Sequence, residues 1–125
     1  MLFRSGVGLP IGIADAMDAP ALESLTDPMQ RLFRAFAEQT KSDLRALAAC
    51  IRGSRQKLSE ADVGRIACPA LVAVGTKDPI AGDAHKLAAL IQNGTALDIP
   101  GRDHNLAVGD KVFKQGVIEF LKARR

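Results

Sequence analysis

At 125 residues the chain has room for one modest core. A hydrophobic content of 47% with 25% charged residues excludes wholesale disorder. Five Phe with no Trp or Tyr argue against surfaces that stack bases or sugars, and a formal charge of +3 is too mild for a nucleic-acid footprint.

In chain order, residues 1–66 read as a lead-in of small residues followed by amphipathic helices. The opening Met1–Gly8 has no apolar run of signal-peptide length, and no segment approaches a membrane span, so no membrane partner is expected and a cytoplasmic location is the default. Asp27-Pro28 is a helix start, and Met29, Leu32, Phe33, Phe36 and Ala37 then recur at the spacing of one buried face. Ser42 is expected to cap a second helix carrying Leu44, Leu47, Ala48 and Ile51, which ends near Gly53. Ser59-Glu60-Ala61-Asp62 resembles a capping box for a further turn or two. Cys50 and Cys68 lack the spacing of a metal or redox pair and are expected to be buried thiols in a reducing compartment.

Residues 67–125 change character. Pro69–Gly75 is an uninterrupted apolar run, as in a strand of a parallel sheet covered on both faces. A helix follows with Ala84, Leu87, Ala88 and Ile91 on one face and Asn93-Gly94 as its stop. Thr95–Ile99 is a second short strand, and Asp110 opens a terminal helix with Phe113, Val117, Phe120 and Leu121 as its buried stripe. The cations Lys111, Lys114, Lys122, Arg124 and Arg125 read as solvated and, toward the C-terminal end, favourable to the helix dipole. Strand, helix, strand, helix is a parallel α/β unit.

Two residues carry the chemistry. Asp78 and His104 each lie a few residues beyond a predicted strand, 26 positions apart. In open α/β sheets functional groups collect at the carboxyl ends of strands, so both should emerge on one edge, with Gly75 and Gly101 making sharp turns. A carboxylate beside an imidazole selects its tautomer and stabilises the imidazolium. Asp103 reads as a solvated or loop-bracing carboxylate, and Asp83 and His85 as first-turn residues of a helix. A metal site from Asp83, His85, Asp103 and His104 lacks any supporting His-x-x-x-His or Glu-x-x-His spacing, and no cofactor is expected.

The stretch Cys68–Gly82, continuing through Ile99–His104, resembles the C-terminal part of the α/β-hydrolase fold family. There a P-x-L-hydrophobic-hydrophobic-x-G-x-x-D strand carries the triad acid and a later G-x-x-H loop carries the histidine. The resemblance covers about residues 66–123. It implies the catalytic roles of Asp78 and His104, two or three strands of the family's sheet in residues 67–125, and a partial lead-in strand with a helical cap in residues 1–66. It also implies hydrolysis of an ester or related small acyl substrate by a Ser-Asp-His mechanism.

The family's Gly-x-Ser-x-Gly elbow is absent from the sequence, and Ser5, in Arg4-Ser5-Gly6, lacks the leading glycine and any strand before it. The chain is therefore expected to start partway through such a domain and to be inactive alone. Two alternatives stand beside this one: a non-catalytic module that self-associates, and a half-enzyme complemented by a separate nucleophile-bearing chain.

Overall fold

The structure, a computed structural model, describes residues 10–124. The expected lead-in strand and Ser5 fall in residues 1–9, outside the described part. The described residues form a mixed α/β protein with six α-helices and a two-stranded parallel sheet. They divide into two compact units, residues 10–57 and 58–124.

The first unit is helical: α1 (Gly12–Asp18), a 3-10 turn (Leu22–Ser24), α2 (Pro28–Gln39) and α3 (Leu44–Gly53). Helix α1 packs against α2 and α3 and buries Ile13, Ala14, Ala16 and Met17. This helix lies where the sequence shows only a lead-in of small residues, because seven residues are too few to display a helical period clearly. Asp27 caps α2 by accepting from the Gln30 N–H (2.9 Å), with Pro28 in the first turn, as expected.

The buried strip of α2 is rotated from the expected one. Phe33, Arg34 and Ala37 are buried, whereas Leu32 and Phe36 are 50% and 41% exposed. The cause is the C-terminus of α1, whose last carbonyls have no partners within the helix. The Arg34 guanidinium donates to the Ala16 and Ala19 carbonyls (2.8 and 2.7 Å) and to Glu38 (2.7 Å). From the other side, Arg52 near the end of α3 pairs with Asp15 and Asp18 of α1 (3.1 and 2.6 Å).

The cap of α3 is Asp43, not Ser42. Asp43 accepts from the Arg45 and Ala46 N–H groups (both 3.0 Å). Ser42 is already committed to closing α2: its N–H donates to the Ala37 carbonyl (2.9 Å) and the Lys41 N–H to Glu38 (3.0 Å), with Lys41 in the left-handed region (φ 54°). The expected burial of the thiols also fails. Cys50 and Cys68 are both free and exposed, since Cys50 lies off the buried side of α3 and Cys68 precedes the sheet.

The second unit contains α4 (Glu60–Gly64), β1 (Ala70–Gly75), α5 (Ala84–Leu90), β2 (Gly94–Ile99) and α6 (Lys111–Lys122). The Ser59–Asp62 capping box forms in full. The strands pair in parallel, from Ala70 opposite Gly94 to Gly75 opposite Ile99, and both α5 and α6 pack on them. Val63, Ala84, Ala88, Ile91, Ile99 and Ala107 form the core, while Leu71–Val74 are only half-buried. Helix α6 buries no residue completely. Phe113, Val117 and Phe120 are half-buried, but Leu121 is exposed, and Arg124 stacks on Phe120 with its guanidinium carbon 4.2 Å from the ring centre.

Replacing Arg34 by Ala strands the α1 carbonyls in a buried setting. This should destabilise the protein by about 2–4 kcal/mol in urea unfolding, because hydrogen bonds to charged groups are the stronger ones. Arg34→Lys should recover only part of that, since an ammonium cannot span the same partners.

Candidate active site

The sheet brings Asp78 and His104 together. His104 Nδ1 lies 2.8 Å from Asp78 Oδ2, with the Asp78 side chain 4% exposed and the His104 side chain 40% exposed. Both residues come from loops leaving the carboxyl ends of adjacent parallel strands. The other carboxylate oxygen of Asp78 accepts from the Ile80 and Ala81 N–H groups (2.7 and 3.0 Å). Asp78 thus forms the turn that an Asp-Pro pair predicts and holds the imidazole as well.

Burial raises the Asp78 carboxyl, but the Ala81 and Ile80 N–H groups and His104 together outweigh it and leave the group below its ordinary value. An ionised carboxylate only accepts hydrogen bonds, so Nδ1 of His104 carries the proton and donates.

The glycines play different parts. Gly101 sits in the left-handed region (φ 70°), as a turn requires. Gly75 does not. A Cβ there would overlap the Arg102 carbonyl, so Gly75 is needed for close backbone approach. Three further hydrogen bonds tie the loops: Thr76 N–H to the Ile99 carbonyl (3.0 Å), Lys77 N–H to the Arg102 carbonyl (3.0 Å) and Gly101 N–H to Thr76 Oγ1 (2.8 Å). Beyond them, the Arg102 guanidinium donates to Asp110 (2.6 Å), the cap of α6. Asp110 was legible as a helix start, but its pairing with Arg102 and the role of Thr76 carry no sequence signal of their own.

Asp103 turns its carboxylate onto its own loop, accepting from the Asn105 and Leu106 N–H groups (3.0 and 2.9 Å). Asp83 caps α5, and His85 Nε2 lies 2.7 Å from Asp98 on β2, an exposed pair separate from the first. The hydrogen bond to Asp98 raises the His85 imidazole above its ordinary value. Its contribution is therefore present below about pH 6.5 and lost as pH rises through the raised value. No group of three metal-ligating side chains assembles among the described residues.

The serines of the described residues are engaged elsewhere. Ser24 bonds to the Ala21 carbonyl, Ser42 to Thr40, Ser54 to Cys50 and Ser59 to Asp62. An open apolar groove of about 500 Å³ belongs to the helical unit, lined by Leu22, Pro28, Arg31, Leu32 and Ala35, and includes neither Asp78 nor His104. Among the described residues, no helix is long and apolar enough to cross a membrane.

The fold and this geometry define an α/β unit with a carboxylate–imidazole pair at the carboxyl edge of its parallel sheet. No family model matches the sequence, and no curated protein matches it.

Asp78→Asn keeps an oxygen for the Ile80 and Ala81 N–H groups but presents the wrong partner to His104 Nδ1. It should destabilise the protein by about 1–3 kcal/mol at neutral pH. The wild-type carboxylate adds stability above about pH 4 that is lost as pH falls through its depressed folded value. The difference between wild type and Asp78→Asn, read from urea midpoints across pH, should shrink in acid.

Proposed function

We propose that Asp78 and His104 are the acid and histidine of a hydrolase site of the α/β-hydrolase type, acting on an ester or related small acyl substrate. The observation that carries this reading is the 2.8 Å contact between His104 Nδ1 and the buried Asp78 carboxylate at the ends of adjacent parallel strands. His104 Nε2 accepts the proton of a serine hydroxyl as its oxygen attacks the substrate carbonyl. It then returns that proton to the departing alcohol as the tetrahedral intermediate collapses. A water, deprotonated by the same nitrogen, attacks the acyl-serine; the acid leaves as that proton passes to the serine oxygen, which regenerates the hydroxyl and the neutral imidazole. Asp78 stays ionised throughout and stabilises the imidazolium.

On this reading a serine on a Gly-x-Ser-x-Gly elbow and a set of oxyanion amides complete the site, and the sequence holds no such motif. The chain alone should therefore show no His104-dependent hydrolysis of p-nitrophenyl acetate. Joined to or co-expressed with a strand–Gly-x-Ser-x-Gly–helix segment encoded next to it, it should gain turnover that His104→Ala lowers by about 10³-fold or more. Complex formation without such turnover rejects the reading.

A second reading, a self-associating module without catalysis, is favoured by the exposed apolar residues Val112, Ile118 and Leu121 on α6 and Leu106 and Val108 before it. Two-stranded sheets gain stability by acquiring further cover. Light scattering after size exclusion should then report a dimer or larger species, whereas a monodisperse monomer that melts cooperatively removes this reading.

A further inference from the structure

We infer that Thr76 is a positioning residue for the Asp78–His104 pair, acting through a side-chain clasp between the two strand exits; this rests on reading the pair as acid–base machinery. Thr76 is the first residue after β1, two before Asp78. Its hydroxyl oxygen accepts from the Gly101 N–H (2.8 Å), three residues before His104. That acceptance falls on the residue whose left-handed backbone (φ 70°) swings the second loop back toward the first.

Apart from the Asp78–His104 contact itself, the other ties between the loops are main chain to main chain, from Thr76 to Ile99 and from Lys77 to Arg102, and any residue but proline at the two donor positions could form them. The far side of the histidine loop is held by Arg102 on Asp110 and by the Asp103 turn. Its near side is joined to the acid loop by those two main-chain bonds and, through a side chain, by the Thr76 hydroxyl. Releasing Gly101 removes, among the described residues, the only side-chain restraint from the acid loop on the turn between β2 and Arg102, so the imidazole is held less firmly against a carboxylate whose other oxygen is fixed by Ile80 and Ala81.

The test is proton NMR on the full chain, following the low-field Nδ1–H resonance of His104 and its exchange with water, beside amide protection across β1 and β2. Asp78→Asn should abolish the resonance. Thr76→Val should raise its exchange rate roughly fivefold or more, the worth of one net hydrogen bond, with strand-amide protection unchanged. Thr76→Ser, which keeps the hydroxyl, should restore the wild-type rate. Thr76→Ala removes the same acceptor with less bulk and must agree with Thr76→Val, so misfolding of one variant leaves the other to decide.

An unchanged exchange rate in the folded Val or Ala variant overturns the positioning role and leaves the pair intact. A rise matched by equal loss of protection along both strands also overturns it, as that is general loosening. A wild-type chain with no Asp78-dependent resonance overturns the pair itself, and with it the hydrolase reading.

Discussion

The site depends on how closely two strands can leave a sheet side by side. Parallel strands in this register deliver their exits to the same edge, but ordinary side chains would hold those exits apart. At Gly75 the missing Cβ lets the Arg102 carbonyl settle against the end of β1, where it accepts from the Lys77 N–H. An acid loop and a histidine loop that begin this close meet within a few residues of the sheet. The carboxylate and imidazole are therefore held by short, hydrogen-bonded segments rather than by long loops.

The same economy appears in the Asp78 carboxylate. One oxygen ends the acid turn and the other orients the imidazole, so neither can change partner without disturbing the other. Desolvation alone would push such a carboxyl toward its neutral form. The two backbone N–H groups and the histidine reverse that tendency, and the ionised form in turn selects the histidine tautomer. The local turn and the histidine contact are thus one arrangement.

Much of the second unit was legible because its signals are local. Pro and Gly bracket β1, Asp110 caps α6, and the Ser59–Asp62 box is complete, while Asp83 lies one step earlier than read, as the cap of α5 and not in its first turn. The Asp78–His104 pairing was legible because strand-end geometry is a rule of parallel sheets. What escaped was decided between segments. Arg34 is buried only because α1 ends against α2, and a charged residue on a helix gives no hint of carbonyls waiting on a neighbour. Ser42 looks like a cap until the closure of α2 takes its N–H. Gly75 reads as a turn residue, although it serves a contact made from 27 positions away. Thr76 is an ordinary residue in the sequence and becomes a clasp only once Gly101 lies beside it.

The register of the sheet has a consequence for how the site forms. Each residue of β1 faces one 24 positions later, and Asp78 meets His104 across 26, so nearly the same loop closes in both cases. The entropy of bringing chain ends together rises only slowly with loop length, and two closures that share one loop are counted once. By the time β1 and β2 are paired, the acid and the imidazole have been brought within reach, leaving only a few loop dihedrals to order. Assembly of the pair is therefore tied to a single folding event, and whatever opens this crossover dissolves sheet and site together.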